Sequence, residues 1–479
     1  MQTTLFFDDE VLVARQNVLR RQGQAKPIEA SIYSDPLANT AWGYPAVFRR
    51  GDGEWMLLYG ANFDRKVYRG GGSVALAVGD DGIHWTPDDR VVGTTSSRRL
   101  ASHHIAGPGQ GGIFSSGFEL PHPVAGLERY NFLYHHGSER PDFPSATGEL
   151  WTSADGHQWR LAEGPGWQRP NPDPPTFVHW NALLQKYVLT TRPNFADRRI
   201  AQFTTNDFKQ YTRVELAVQT DSLDRALTQI YGMPTFPYEG WYVALPWMFD
   251  VSATETVHLP QKYLGGKQYP QFAYSFDGRH WQRGQRSAFI ANGEPGEPDA
   301  GCLQPSSMVQ LPDGSLRFYA STSQHEHGHC PPGDGYIVAY GLRRDGFVYL
   351  ESDGGKGVVA TRPVYWRSGS LELNAQAPAG WVRVQISTAH GKPIEGFSFE
   401  DCDVLHADDV KWRPTWRGRG LDSIANTMVS IEIELENARL YALRGDYTES
   451  RHPDVIAFER DGTAPIKGRR PGQFQNSLA

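Results

Sequence analysis

Four carboxylates stand in settings suited to chemistry: Asp35 in SDP, Glu119 in FELPHP, Asp173 in NPDPP and Glu297 in EPGEPDAG. Two carboxylates brought to one pocket can divide acid–base work. One is protonated and donates to a leaving oxygen; the other is ionised and acts as base or nucleophile. Ten further residues could hold a ligand beside them: Asn62, His122, His135, His136, Arg192, Asp224, Trp247, Asp299, His325 and His327. Arg and His bind hydroxyls or a carboxylate, and a Trp face stacks on a sugar ring. The tract HEHGHC, from His325 to Cys330, carries donor types that suit a transition metal. No second Cys or His cluster of recognised ligand spacing lies near it in sequence. A place at a pocket rim is therefore favoured over a metal at His325 and His327, and no cofactor is expected.

A repeated phrase suggests what could bring these residues together. It reads ALAVGDDGIHW from Ala75, LWTSADGHQW from Leu150, FTTNDFKQY from Phe203, FAYSFDGRHW from Phe272 and YGLRRDGFVYL from Tyr340. Each copy is a strand, a tight turn at Asp81, Asp155, Asp207, Asp277 or Asp345, and in most copies an aromatic residue that opens the next strand. Such a period implies an array of like units. The fold expected is all-β: a five-bladed β-propeller followed by a β-sandwich. Residues 1–353 are assigned to the propeller, with a lead-in strand over Leu5 to Ala14. Residues 354–449 are assigned to the sandwich and 450–479 to an arm or tail. In a blade that runs up and down, the first strand starts on the face where the second ends. The turn Asps lie on the other face and read as scaffold. The fourteen residues above lie just before an inner strand or just after its partner.

The chain has 479 residues and a net charge of −7, without a basic stripe, which argues against nucleic acid as a partner. No apolar run approaches membrane-span length, so no membrane partner is expected. The start, MQTTLFFDDEVLVARQ, places acids where an export signal has a basic region and a long apolar core. Only Cys302, Cys330 and Cys402 are present, which is no disulfide framework. Both observations lead to an expected cytoplasmic location. Oligomeric state is left open. Aromatic residues make up 12% of the chain, with 14 Trp, which suits blade packing and sugar stacking alike.

The lead-in LFFDDEVLVA, the strand ends LLYG and FLYHHG, the run KYVLTTRPNFADRRIA and the later LRRDGFVYLES together resemble a bacterial group of glycosidases. That group is related in fold to glycoside hydrolase families 32, 43 and 68. The stretch LELNAQAPAGWVRVQISTAHGKPIEGFSFEDCDVLHADDVKW, then LENARLYAL, is similar to the accessory β-sandwich of the group. The resemblance runs to about Leu443. It implies a propeller with three acids in a central funnel. Asp35 would be the acid of the first blade and Asp173 the one that orients the sugar; Glu119 or Glu297 would be the proton donor. The function it implies is an exo-acting O-glycosyl hydrolase of carbohydrate metabolism, with a small oligosaccharide or glycoside, furanosides included, as substrate. A non-enzymatic carbohydrate-binding or interaction propeller is the alternative from another class, and a sugar lyase or transferase would use the same pocket.

Overall fold

The computed structural model describes residues 1–37, 42–62, 72–93, 102–109, 113–136, 147–162, 167–168, 172–193, 197–253, 264–331, 333–352 and 354–466. The chain divides into two compact units, one of Gln24–Leu342 and one of Met1–Gly23 with Arg343–Ala479.

The 24–342 unit is a β-propeller, and among the described residues its strands fall into five sheets. Their inner strands are Trp42–Arg49, Ile113–Glu119, Pro172–Asn181, Thr235–Tyr238 and Cys302–Gln310. The first inner strand lies beside the second and the fifth, the second beside the third, and the third beside the fourth. The ring closes on itself: Lys26–Pro27, from the start of the unit, pairs with Tyr340 and Gly341 at the outer edge of the fifth sheet. Both faces of a blade are covered by neighbours, so its middle strands are apolar in continuous runs. In Trp55–Asn62, the residues Trp55, Leu57, Tyr59 and Ala61 pack with Tyr319, Ile337 and Ala339 of the fifth sheet. Met56 and Leu58 face the other way, onto Phe132, Trp151 and Trp159 of the second. Each such fully buried side chain contributes roughly 1.5–3 kcal/mol.

The repeated turn has a further use. Asp81, Asp155, Asp207 and Asp277 each accept the backbone N–H groups two and three residues on. The turn at each Asp contacts the preceding sheet. Tyr319 Oη of the fifth sheet donates to Gly82 O, and Asn181 Nδ2 of the third donates to Asp277 O. Phe208, at φ 56°, stacks on Phe118 of the second sheet. Gly156 has φ 81°, and a Cβ there would overlap the sulfur of Met56 in the first sheet. Gly156→Ala is therefore expected to cost about 2 kcal/mol or more in urea unfolding, from left-handed strain and overpacking together. A loss below about 0.5 kcal/mol would show that the turn does not fasten sheet to sheet.

His179, on the third inner strand, lies against the ring of Tyr242 in the fourth sheet and is enclosed. Burial alone holds its imidazole down to about 3, against an ordinary 6.5. The folded protein thus keeps His179 neutral where the unfolded chain protonates it. Stability tied to His179 is complete above about pH 6.5 and falls with pH toward 3, by up to about 1.4 kcal/mol per unit. His179→Phe is expected to flatten that acid limb in pH-dependent denaturation. An unchanged limb would exclude His179 as its source.

The fourth region departs from a simple blade. The sequence predicts one strand through WYVALPWMF, but Pro246 interrupts it, because proline has no N–H for the ladder. Trp241–Ala244 stays in the fourth sheet. Trp247–Ala253 pairs instead with Thr228–Ile230 and Gly265–Pro270, which join the fifth sheet through Gln268 and Cys302.

The other unit is a β-sandwich. One layer holds Leu12–Gln16, Gly357–Thr361, Thr427–Glu436 and Trp381–Thr388. The other holds Leu19–Gln22, Val348–Glu351, Arg439–Glu449, Val364–Gln376 and Asp408–Trp412, with Gln2–Leu5 on Arg439–Glu449. The 13-residue strand Val364–Gln376 pairs into both layers. Val384, Ile386, Ile431 and Ile433 from one layer meet Leu373, Leu440 and Leu443 from the other in a core closed by Trp366 and Trp416. Two expectations are corrected here. The strands within residues 1–23, assigned from sequence to the propeller, belong to this unit, which also begins at Arg343 rather than at residue 354. Asp345, read as a fifth copy of the propeller turn, is a buried residue of the sandwich unit at φ 59°. It accepts two hydrogen bonds from Arg444, at 2.8 and 2.6 Å, and one from Asn374 at 2.9 Å. Within the segment assigned to a tail, His452–Asp461 is a helix whose Val455 and Phe458 pack with Tyr365 and Met428. No helix among the described residues is long and apolar enough to cross a membrane.

Candidate active site

At the end where the inner strands start, the third sheet places Asp173 and Arg192 opposite each other, as register partners of Pro172–Asn181 and Lys186–Pro193. The Asp173 side chain lies outside the described residues. Arg192 is buried, with its guanidinium 4.2 Å from the centre of the Tyr231 ring, and Nη1 donates to Tyr231 O at 3.1 Å. Arg198 also lies over Tyr231, at 5.3 Å. His327 comes to the same ring: its Nε2 is 3.2 Å from Tyr231 Oη, and its Nδ1 donates to Leu264 O at 2.9 Å. Tyr231 in turn packs against a buried aromatic cluster of Tyr44, Phe177 and Trp247 from three sides of the ring. Tyr44 stacks on Trp247 at 5.3 Å, and Trp247 Nε1 donates to Pro305 O at 3.0 Å. The arrangement sets two guanidiniums and an imidazole around one phenol, on an apolar floor. Such donors recognise hydroxyls and anionic groups.

Several expected site residues have other places. Glu119 ends the second inner strand, so it lies at the opposite end of the blade; exposed, it pairs with Arg129 at 2.6 Å. His122 follows it, and its ring lies tilted against Trp180 with centroids 4.4 Å apart. The ELPHP run lies after its strand rather than before it, which puts it on the other face. Asp224 is a buried ion-pair partner of Arg283, at 2.5 and 2.6 Å, and also contacts Arg286. Trp247 is fully enclosed in the floor, not offered to a ligand. Asp299 accepts from Tyr340 Oη at 2.6 Å, and burial together with that carboxylate holds the Tyr340 phenol well above its ordinary range. Glu297 is exposed in the loop ahead of the fifth inner strand, where its Oε2 accepts from Glu294 N at 2.8 Å. His135 is buried near the end of its strand. His325 pairs with Asp334 at 2.9 Å while His327 turns to Tyr231, so the two do not converge on one point. The side chains of Asn62 and His136 lie outside the described residues.

Asp35 is completely buried. Its Oδ2 accepts from Tyr59 Oη at 2.6 Å and from His103 Nε2 at 2.9 Å, with His104 Nε2 at 3.7 Å. Its Oδ1 accepts from Leu37 N at 2.9 Å. Burial first, then Tyr33 and Asp35, keep the Tyr59 phenol far above its usual range, so it stays an O–H donor. Asp35 is therefore held inside the protein rather than in an open pocket. His103 and His104 lie at the start of an outer strand, His104–Gly109, whereas the sequence pattern singles out only inner strands and their partners. The adjacent pair of His was the available signal. Tyr231 and Arg198 carried none, being an ordinary Tyr and Arg beside the third and fourth sheets.

No family model matches the sequence, and no curated protein matches it. Solved structures with similar chain traces include an N-acetylgalactosamine deacetylase from F. plautii in complex with blood group B trisaccharide, at 13% identity and TM-score 0.47. That match covers 68% of this chain and 95% of that one. A thermostable family-43 glycoside hydrolase matches at 12% identity and TM-score 0.46, over 66% and 95% of the two chains. The Penicillium chrysogenum alpha-L-arabinanase complexed with arabinobiose matches at 12% and 0.38, over 68% and 98%. Likeness at this level fixes no activity, and the site has to be read from its own residues.

Proposed function

We propose that the propeller unit is a glycoside hydrolase that acts on a small oligosaccharide or glycoside, from the chain end, with furanosides among the candidate substrates. The five sheets are read as five blades. The supporting observation is the register pair of Asp173 and Arg192 beside Tyr231 and His327. Asp173 is assigned the acid nearest the reacting bond, and Arg192 and His327 contact the sugar's polar groups. Glu297 is the partner acid retained from the sequence, since its loop precedes an inner strand on the same end. The spacing of the two acids in a complex would separate retention from inversion.

The placement of Asp35 and Glu119 elsewhere favours a second reading, a propeller that binds carbohydrate without cleaving it. A panel of aryl glycosides and oligosaccharides, pyranosides and furanosides together, distinguishes the two. Sugar release with uptake of water is the expected result. Binding of a sugar by calorimetry with no release from any substrate would replace the hydrolase with the binding module. A product lighter by one water would instead mark a lyase.

A further inference from the structure

We propose that Asp35, His103 and His104 form a structural site for a divalent transition-metal ion of the zinc class. The inference does not depend on what the propeller acts on. One ligand atom from each residue lies within 4.8 Å of the other two. The Asp35 Oδ2 atom is 2.9 Å from His103 Nε2 and 3.7 Å from His104 Nε2. Metal bonds of about 2.0–2.1 Å in a tetrahedron put donors about 3.4 Å apart, and those two separations bracket that value. Small shifts of side chains already in place would complete the site.

The donor set and its surroundings agree. Two imidazoles and a carboxylate suit zinc, cobalt or nickel rather than calcium or magnesium. His104 Nδ1 lies 3.2 Å from Ser73 Oγ, which fixes the ring and leaves Nε2 as the atom that faces Asp35. Tyr59 and Leu37 N hold the carboxylate from outside, and Tyr33 Oη stands 3.0 Å from Tyr59 Oη behind it. Tyr59 Oη, 2.6 Å from Asp35 Oδ2, is a further oxygen beside the three donors. Asp35, His103 and His104 are all buried. Enclosure fits a structural ion better than a catalytic one, which needs an open position.

The site's position gives it a purpose. Asp35 comes from the segment that leads into the first sheet, Tyr59 from that sheet's second strand and His104 from its outer strand. Tyr33, two residues before Asp35, bridges Ile337 of the fifth sheet. An ion here would tie together the seam at which the first and last sheets of the ring meet.

The test is elemental analysis of the full-length protein, produced without a metal-affinity tag in zinc-supplemented medium and dialysed against metal-free buffer. About one equivalent of zinc per chain is expected, with a lowered melting temperature after chelation that added zinc restores. The variant His104→Gln is expected to lose the metal, and His325→Ala with His327→Ala to keep it. Wild-type protein with less than about a tenth of an equivalent, and a melting temperature indifferent to both chelator and zinc, would overturn the proposal. Metal retained in full by His104→Gln, or lost from the His325/His327 variant alone, would overturn it too, by placing the ion elsewhere. The wild-type measurements stand even if His104→Gln does not fold.

Discussion

Asp173→Asn is expected to lower turnover of whichever glycoside the wild type cleaves by at least about a hundredfold, the lower end of what a positioned acid or base contributes. The amide keeps the size and removes the charge and the proton. The stability of the variant should stay close to that of the wild type, because the substitution falls at the start of the strand Pro172–Asn181. Arg192→Gln is expected to act differently. Arg192 is packed on Tyr231 and hydrogen-bonded to its carbonyl, so its loss should raise KM and also lower stability. Glu119→Gln serves as the control. Glu119 lies at the other end of its blade in an exposed pair with Arg129, worth at most about 1 kcal/mol, and the variant should keep full turnover. Steady-state kinetics on the three variants settles the assignment. Full activity in Asp173→Asn, or a large loss in Glu119→Gln, would move the chemistry away from the strand-start end of the third sheet.

Arg444→Met is expected to destabilise the sandwich unit by about 3–5 kcal/mol, the usual cost of leaving a buried charge without its partner. Asp345 and Arg444 are both enclosed and share two hydrogen bonds, with Asn374 as a third contact on the same carboxylate. Removing the guanidinium takes the opposite charge away from that carboxylate, which is enclosed where water does not reach. The second change, Asp345→Asn, should recover much of the loss. Asn tolerates the left-handed backbone at φ 59° and carries no charge to strand. Equilibrium unfolding of both single variants and the double variant measures the coupling. A cost below about 1 kcal/mol for Arg444→Met would show that the pair is not what holds this corner.

The propeller and the sandwich were legible because their signals are local. Strand alternation, Asp-Gly turns and apolar runs depend on neighbours in sequence, and each turn Asp of the first four copies binds backbone only two or three residues away. The fifth copy misled for the same reason. YGLRRDGFVYL has the local pattern, but the long-range partner of Asp345 is Arg444, and no local rule contains that pairing. Likewise the lead-in reads in sequence as one strand over Leu5 to Ala14, whereas the structure forms Gln2–Leu5 and Leu12–Gln16, whose sheet partners lie more than 300 residues away, as Leu5 with Ala442 does.

The candidate site divides along the same line. That Asp173 and Arg192 belong to one blade end followed from strand order, which the sequence carries. That Arg192 rests on Tyr231, that Trp247 turns into the floor, and that Asp35 is buried among His103, His104 and Tyr59 depended on which sheets meet. The sequence alone determined the class of secondary structure, the turns and the two kinds of domain, since these rest on backbone preferences and hydrophobic pattern over a few residues. Only the tertiary structure decided which polar groups face one another, because that is set by packing between sheets distant in the chain, where burial and partner charge select the contact.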